Sequence, residues 1–207
     1  MEAQPKCNLI IDSCCDLPFE VIDRPGVQLL EFPYIDEKGE HSDDLYRTIT
    51  PHEFYEGMRA GSQPSTAQVP VTVFQDVFSK AIESGVPTVY LSFTSGLSGS
   101  FNTAVMMRDQ LIAEHPEAEL YVVDTYLASV AEALLVYEAL NQRDNGMTAR
   151  ELAAWAEEAR YFVDAEFMVD DLESLRRGGR IPSTVAYAGA KLDVKPLLTS
   201  ASRASLR

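Results

Sequence analysis

Basic residues are scarce in this chain of 207 residues. It has 17 Lys and Arg against 32 Asp and Glu, which gives a formal net charge of -15 at pH 7. A protein that binds nucleic acid needs a surplus of cations to neutralise phosphates. The charge balance therefore argues against nucleic acid as a partner, and it disfavours adsorption to anionic membrane surfaces.

Cysteines and long apolar runs are also scarce. The three cysteines, Cys7, Cys14 and Cys15, form neither a disulfide framework nor a zinc-binding CxxC pair. No stretch reaches the roughly 20 apolar residues that a membrane-spanning helix needs. The first residues lack the basic-then-apolar order of a secretory signal. We therefore expect a cytoplasmic protein without a metal site and without stable insertion in a membrane.

Motifs for nucleotide binding and for hydrolysis are missing. Neither G-x-x-x-x-G-K-[ST] nor G-x-G-x-x-G occurs. The segment Gly96–Ser100 departs from the nucleophile motif G-x-S-x-G at its last position. The His that follows Ser98, His115, lies at the far end of a predicted helix, roughly 20 Å away. These observations argue against hydrolysis, and we expect no catalytic residues.

A strand, a polar loop and a helix follow one another three times along the chain. The predicted strands are Asn8–Ile11, Thr88–Phe93 and Glu119–Val123. The second is followed by a helix over Ser100–Glu114, and the third by a long helix through Leu140. Continuously apolar strands that alternate with helices are typical of a parallel sheet covered on both faces. The fold class is therefore α/β.

The segment between the first two units is predicted to hold a hairpin and two helices. Asp36–Gly39 is typical of a hairpin turn. Thr50–Glu53 is a capping box that opens a helix with an apolar stripe. Thr72–Ser84 has apolar residues at helical spacing. The stretch Ser62–Pro70 has neither period and is predicted to be an extended linker that lies across a crevice.

A second α/β domain is predicted to follow the first. A capping box at Thr148–Glu151 opens a helix, Tyr161–Val169 is predicted to be a strand, and Asp170–Arg177 a short helix. We expect one domain over residues 1–150, which carries the Ser98 loop, and a second over residues 151–207. The last eight residues are polar and unpatterned, so the second domain is expected to be incomplete at its C-terminal end.

The loop Thr94–Ser100 has the composition of an anion site. The Ser95 and Ser98 hydroxyls would lie with free backbone amides at the start of a helix, and Gly99 would allow close approach of the backbone. The alternative is that one Ser caps the helix and the glycines form a turn. Capping needs one hydroxyl rather than several, so the pattern favours an anion site for a carboxylate or phosphate.

Three further residues are candidates near this loop. Ser13 and Asp124 follow predicted strands, at the sheet edge where ligands of open α/β sheets collect. Ser13 is equally consistent with a ligand contact and a turn residue, whereas Asp124 is better interpreted as a turn residue. Arg180, on a Gly-rich basic turn, either complements the end of a helix or faces an anion.

The chain resembles the DegV family in four stretches and one further segment that occur in family order. They are Asn8-Leu-Ile-Ile-Asp-Ser-Cys-Cys-Asp-Leu-Pro18, Thr66-Ala-Gln, Ser95-Gly-Leu-Ser-Gly-Ser-Phe101 and Asp171-Leu-Glu-Ser-Leu-Arg-Arg-Gly-Gly-Arg-Ile181, followed by Leu192-Asp-Val-Lys-Pro-Leu-Leu198. Together they cover nearly the whole chain. Ser100 stands where the family pattern has Thr.

The resemblance implies a bacterial α/β protein of two domains that holds a long-chain fatty acid between them. It implies that Thr66 and Ser98 bond the carboxylate and that Arg180 lies on the head-group side. It further implies that the bound acid is presented to a separate fatty acid kinase catalytic subunit, with no cofactor other than the fatty acid as ligand. The alternative function is an α/β enzyme that acts on a small phosphorylated metabolite and uses the Ser98 loop as its phosphate site.

Overall fold

A computed structural model describes residues 5–169 and 172–184, together with the backbone of a strand at residues 197–199. The strands are β1 (Asn8–Asp12), β2 (Val27–Leu30), β3 (Pro33–Asp36), β4 (Gly39–Ser42), β5 (Ser65–Thr66), β6 (Thr88–Ser92), β7 (Leu120–Asp124), β8 (Glu166–Met168) and β9 (Leu197–Thr199). The helices are α1 (Phe19–Ile22), α2 (Pro51–Arg59), α3 (Val71–Glu83), α4 (Ser100–Glu114), α5 (Ser129–Asp144), α6 (Ala149–Ala159) and α7 (Glu173–Arg177).

Four parallel strands form the central sheet, in the order β2-β1-β6-β7. Leu9 of β1 lies opposite Val27 of β2 on one side and Val89 of β6 on the other. The three predicted strand-loop-helix units are confirmed, and the helix over Ser100–Glu114 has the predicted bounds. The edge strand β2 is not predicted from the sequence, because it has only four residues and no recognisable helix precedes it.

Helices cover both faces of this sheet, as expected for the α/β class. Successive side chains of β1 point to opposite faces of the sheet. Leu9 and Ile11 pack against α5 and α6 on one face, and Ile10 packs against α3 and α4 on the other. All three side chains are at most 1% exposed. Such burial on both faces explains why the strands are continuously apolar rather than alternating.

The helix α6 belongs to the core of this first unit. Its buried residues, Ala149, Leu152, Ala153 and Ala156, pack in the same cluster as Leu9 and Ile11. The capping box at Thr148 and Glu151 is present in the structure. The first unit therefore continues through α6, later along the chain than the predicted boundary at residue 150, and the division into two domains stays a prediction.

A small antiparallel sheet, in the order β4-β3-β5, lies beside the carboxyl edge of the central sheet. The predicted hairpin turn at Asp36–Gly39 joins β3 to β4, and Gly39 has a φ of 128°, which favours glycine. The segment Ser62–Pro70, predicted to be an extended linker, contains a short strand that its sequence does not indicate: Ser65–Thr66 pairs with β3 and places Thr66 opposite Tyr34. Two residues are too few to show a period in sequence.

The predicted strand Tyr161–Val169 is shorter than expected. A 3₁₀ turn occupies Arg160–Phe162, and only Glu166–Met168 form β8, which pairs antiparallel with β9. The predicted short helix begins at Glu173, while Asp170 and Asp171 lie outside the described residues. The segments 185–196 and 200–207 lie outside them too, and with them most of the last family-like stretch. None of the helices within the described ranges is long and apolar enough to cross a bilayer.

Candidate functional site

Two aspartates, at the carboxyl ends of the strands on either side of β6, hold the loop between β6 and α4. The Asp12 carboxylate accepts hydrogen bonds from Phe93 N at 2.7 Å and from the Tyr90 hydroxyl at 3.0 Å. The Asp124 carboxylate accepts one from Ser95 N at 3.2 Å. Asp124 thus organises the loop, as its interpretation as a turn residue predicts. The loop is therefore fixed to the sheet at Phe93 and at Ser95.

Burial raises the pKa of Asp12 to about 7, against the hydrogen bonds from Phe93, Tyr90 and Cys14, which lower it. Glu132, in the first turn of α5, is also fully buried, and neither of its carboxylate oxygens has a hydrogen-bond partner among the described residues. Desolvation and the nearby Asp12 charge raise the pKa of Glu132 well above its usual value. Two acidic groups therefore lie unusually deep beneath the loop.

Hydroxyls and backbone amides converge at the start of α4. Ser100 N donates to Ser98 Oγ at 3.2 Å, and the Ser98 and Ser100 hydroxyl oxygens lie 3.0 Å apart. Val69 N, on the segment that follows Thr66, donates to Ser100 Oγ at 3.1 Å. This last bond links the Thr66 segment to the Ser98 loop, although the two are far apart in sequence.

A cavity of about 720 Å³ opens beside these hydroxyls. Thr66, Ser98 and Arg180 all line it. The Arg180 guanidinium donates to Leu97 O at 3.2 Å and to Thr66 Oγ1 at 3.5 Å. Arg180 therefore bridges the two hydroxyl-bearing segments, and a cation stands beside the two hydroxyls, as an anion site requires.

Apolar side chains form the wall of the cavity away from the hydroxyls. Phe32 packs edge-on against Phe93, with ring centroids 5.9 Å apart, and Tyr34 packs edge-on against Phe54 at 5.6 Å. The apolar residues of the wall are Phe32, Tyr34, Ile49, Phe54, Met58, Phe93, Leu97 and Leu175. The cavity is thus amphipathic, with a cationic, hydroxyl-bearing end and a largely apolar remainder in which Asp43 and Asp44 also take part.

This apolar wall is not predicted from the sequence residue by residue. One signal could have indicated it: α2 has an apolar stripe but no buried residue, so its apolar face has no core to join. Phe54 and Met58 of that stripe line the cavity instead. A helix of this kind is typical of the border of a binding cleft.

Three of the six predicted site residues do not line the cavity. Ser13 is fully buried, accepts a hydrogen bond from Phe32 N at 3.1 Å and donates to Asp43. Ser95 contributes its backbone N–H to Asp124, and Gly99 lies beneath the Gln68 side chain. The structure therefore brings together Thr66, Ser98 and Arg180.

Cys14 is a nucleophile candidate by position only, because it too lines the cavity. Burial and the nearby carboxylates of Asp12 and Glu132 raise the pKa of Cys14 well above its usual value. At neutral pH it is a thiol rather than the reactive thiolate. Within the described ranges, His, Cys, Asp and Glu side chains form no cluster that could hold a metal ion.

Fold and site together define an α/β protein with an amphipathic cavity at the carboxyl edge of a parallel sheet. The chain belongs to the DegV family: the family model described as "Uncharacterised protein, DegV family COG1307" matches residues 6–205. A DegV domain-containing protein of Clostridium perfringens is 35% identical over 193 residues, which are 93% of this chain and 66% of that relative. The chain thus spans less than two thirds of the length of that relative.

Two solved structures are similar in fold. A stearic acid-binding protein from Eubacterium ventriosum is 26% identical, with a TM-score of 0.83 over 97% of this chain and 68% of the other. A DegV family protein from Thermus thermophilus, described by its fatty acid binding, is 30% identical, with a TM-score of 0.77 over 94% of this chain and 67% of the other. Both of these proteins hold a fatty acid.

Proposed function

We propose that this protein binds a long-chain fatty acid whose carboxylate is held by the Thr66 and Ser98 hydroxyls. One observation carries the proposal: Thr66, Ser98 and Arg180, which are far apart in sequence, line a single cavity whose remaining wall is largely apolar. A volume of about 720 Å³ is that of a ligand site rather than a packing defect. The fatty acids bound by the two similar solved structures support the same ligand class.

The physical chemistry of the cavity matches an amphipathic anion. Burial of an acyl chain contributes about 0.8 kcal/mol per CH₂, so the tail supplies most of the affinity. The ionised head must be paired when it leaves water, and two hydroxyls, the start of α4 and the Arg180 guanidinium are placed to do so. The function requires binding only, with the fatty acid as ligand and no cofactor or catalytic residue.

The apolar wall favours this function over that of an enzyme acting on a phosphorylated metabolite. A phosphate ester is polar at both ends and gains nothing from Phe32, Phe54 or Phe93. A fatty acid uses the hydroxyl end and the apolar wall together. The Ser98 loop is therefore better assigned to a carboxylate than to a phosphate.

We further propose that the bound acid is presented to a separate fatty acid kinase from the side of Arg180. Arg177 and Arg180 lie at the cavity on or just after α7, and Arg177 is exposed. Guanidinium groups suit a partner that carries phosphate groups. On this proposal α7 belongs to the second domain, the cavity lies between the domains, and the protein acts in the cytoplasm.

Removal of the Ser98 hydroxyl tests the head-group assignment. Ser98→Ala should weaken fatty acid binding about tenfold or more, because a charged head loses a donor worth about 1–3 kcal/mol. The protein is stripped of lipid and reloaded with stearic acid. Binding is measured by calorimetry, and the extracted ligand is identified by mass spectrometry.

Ser95→Ala is the matched control, since Ser95 lies in the same loop but does not line the cavity. It should bind stearic acid like the wild type. If wild-type protein takes up no acyl chain, the proposed function is wrong. Equal losses in the two variants would show that the head group lies elsewhere.

A further inference from the structure

Ser100 stands between the two segments that would hold the ligand head. It is fully buried, and its Oγ accepts from Val69 N at 3.1 Å on one side and lies 3.0 Å from Ser98 Oγ on the other. Because it is buried at the cavity's edge without lining it, Ser100 cannot be a ligand contact itself. Its effect on a ligand must pass through its neighbours, of which Ser98 lines the cavity and Val69 does not.

A count of protons selects the direction of these hydrogen bonds when a carboxylate is bound. A serine hydroxyl has one proton and two lone pairs. Within the described part of the chain, the Ser100 hydroxyl has hydrogen-bond contacts with Val69 N and Ser98 Oγ. In the structure Ser98 Oγ is placed as the donor to Ser100 Oγ, so both lone pairs of Ser100 accept and its buried proton has no acceptor among the described residues. A serine hydroxyl can rotate, and when Ser98 donates to a bound carboxylate the buried Ser100 proton is satisfied by donation to Ser98 Oγ.

The same count leaves Ser98 with one role. Its oxygen accepts from Ser100 N at 3.2 Å and, on this assignment, from the Ser100 hydroxyl. Both lone pairs are then occupied, and the Ser98 proton is free to point into the cavity. Ser98 is thereby set as a donor, which matches a carboxylate, since a carboxylate only accepts.

We propose that Ser100 is a positioning residue that fixes Ser98 as a hydrogen-bond donor toward an ionised carboxylate and so selects fatty acids over neutral lipids of the same length. The proposal rests on the proposed function and adds its head-group selectivity. The hydrogen bonds then all point the same way, from Val69 N–H to Ser100, from Ser100 to Ser98, and from Ser98 to the carboxylate. Each hydrogen bond in such a series strengthens the next. It also ties the position of the Thr66 segment to the orientation of Ser98.

The test compares two ligands of equal chain length, stearic acid and octadecanol. Wild-type protein should prefer stearic acid. Ser100→Ala should weaken binding of stearic acid about fivefold to tenfold and leave octadecanol within about twofold, because an alcohol can donate to Ser98 as well as accept from it. Ser100→Thr keeps the hydroxyl and should keep the preference. Ser98→Ala/Ser100→Ala should bind stearic acid no more weakly than Ser98→Ala alone.

Ser92→Ala is the control for loss of a buried serine. Ser92 is fully buried, and its hydroxyl donates to Phe93 O rather than into this chain of bonds. It should leave the preference for stearic acid unchanged, whatever it does to the melting temperature.

Each result separates the two proposals. If the wild type binds neither ligand, the proposed function is wrong and this inference with it. If the wild type binds stearic acid but Ser100→Ala weakens both ligands equally, Ser100 is only structural. Additive losses in the double variant, or loss of the preference in Ser100→Thr, would overturn the inference as well. Should Ser100→Ala fail to fold, Ser100→Thr still decides the outcome.

Discussion

Arg143 is a buried cation that joins two strands of the central sheet. It is 2% exposed, and its guanidinium donates to Cys7 O at 2.8 Å, to Asp144 at 2.9 Å and to Pro25 O. The carbonyls lie just before β1 and β2. One side chain therefore fixes the start of both strands, and the buried bond to the Cys7 carbonyl depends on it.

Replacement of Arg143 should be strongly destabilising. Arg143→Met keeps the length of the side chain but leaves the Cys7 and Pro25 carbonyls without this donor and Asp144 with Arg24 alone, so the free energy of unfolding should fall by about 3 kcal/mol. Urea unfolding followed by circular dichroism measures it. Arg59→Met, at an exposed ion pair on α2, should change it by less than about 0.5 kcal/mol. Similar losses in both would contradict the assigned role.

At the residue scale, the sequence indicates some of the site and misses the rest for a physical reason. Thr66, Ser98 and Arg180 stand out because hydroxyls and a cation in Gly-rich or extended segments have little to do in a core. Glu132 does not stand out, because a Glu in a first helical turn is ordinary and only the packing of α5 shows that it is buried. Burial of a single helical residue depends on neighbours far away in sequence.

Two helices, α2 and α6, begin with the same capping box but belong to different environments. Thr50 accepts from Glu53 N at 3.2 Å, and Thr148 accepts from Glu151 N at 3.3 Å. The helix α2 has no buried residue, whereas α6 packs into the main core. Loss of the cap should therefore have different consequences in the two helices.

Thr148→Ala should lower the global free energy of unfolding by about 1 kcal/mol, because α6 unfolds with the core. Thr50→Ala should leave global stability within about 0.3 kcal/mol and instead speed hydrogen exchange over Pro51–Arg59, because α2 can open locally. Urea unfolding and hydrogen exchange with mass spectrometry measure the two effects. An equal global loss in both variants would show that α2 is part of the cooperative core.

Long elements are predictable from the sequence, and short ones are not. The period of α3 and α4 and the apolar runs of β1 and β6 extend over enough residues to be recognised. The strands β2 and β5 have four and two residues, and they exist because β1 and β3 offer them backbone partners. Such pairing is a long-range property that no local pattern records.

Two buried carboxyls make the stability of the whole molecule depend on pH. Burial raises the folded-state pKa of Asp12 from 3.8 to about 7 and raises that of Glu132 well above 4.5. Between about pH 4 and pH 7 the folded protein keeps protons that the unfolded chain has lost. Since the folded state then binds more protons, the free energy of unfolding falls as the pH rises through this range.

We expect the free energy of unfolding to be at least about 1 kcal/mol larger at pH 5.5 than at pH 8. Glu132→Gln should reduce this difference and stabilise the protein at pH 8, because a neutral amide replaces a carboxyl that faces Asp12, Asp16 and Asp124. Urea unfolding at a series of pH values measures it. Glu157→Gln removes an exposed charge and should leave the slope unchanged. A variant Glu132→Gln with the wild-type slope would contradict this account.

The strand order has a consequence for biosynthesis. The first strand to leave the ribosome, β1, lies inside the sheet, and its second neighbour, β6, is translated only at residues 88–92. The sheet then awaits β7, at residues 120–124, before its last edge forms. Until then Leu9, Ile10 and Ile11 have no complete core, so the nascent chain must carry this apolar segment unburied until β7 has been made. Because of this strand order, we expect the nascent chain to bind chaperones that shield apolar strands until β7 has been made.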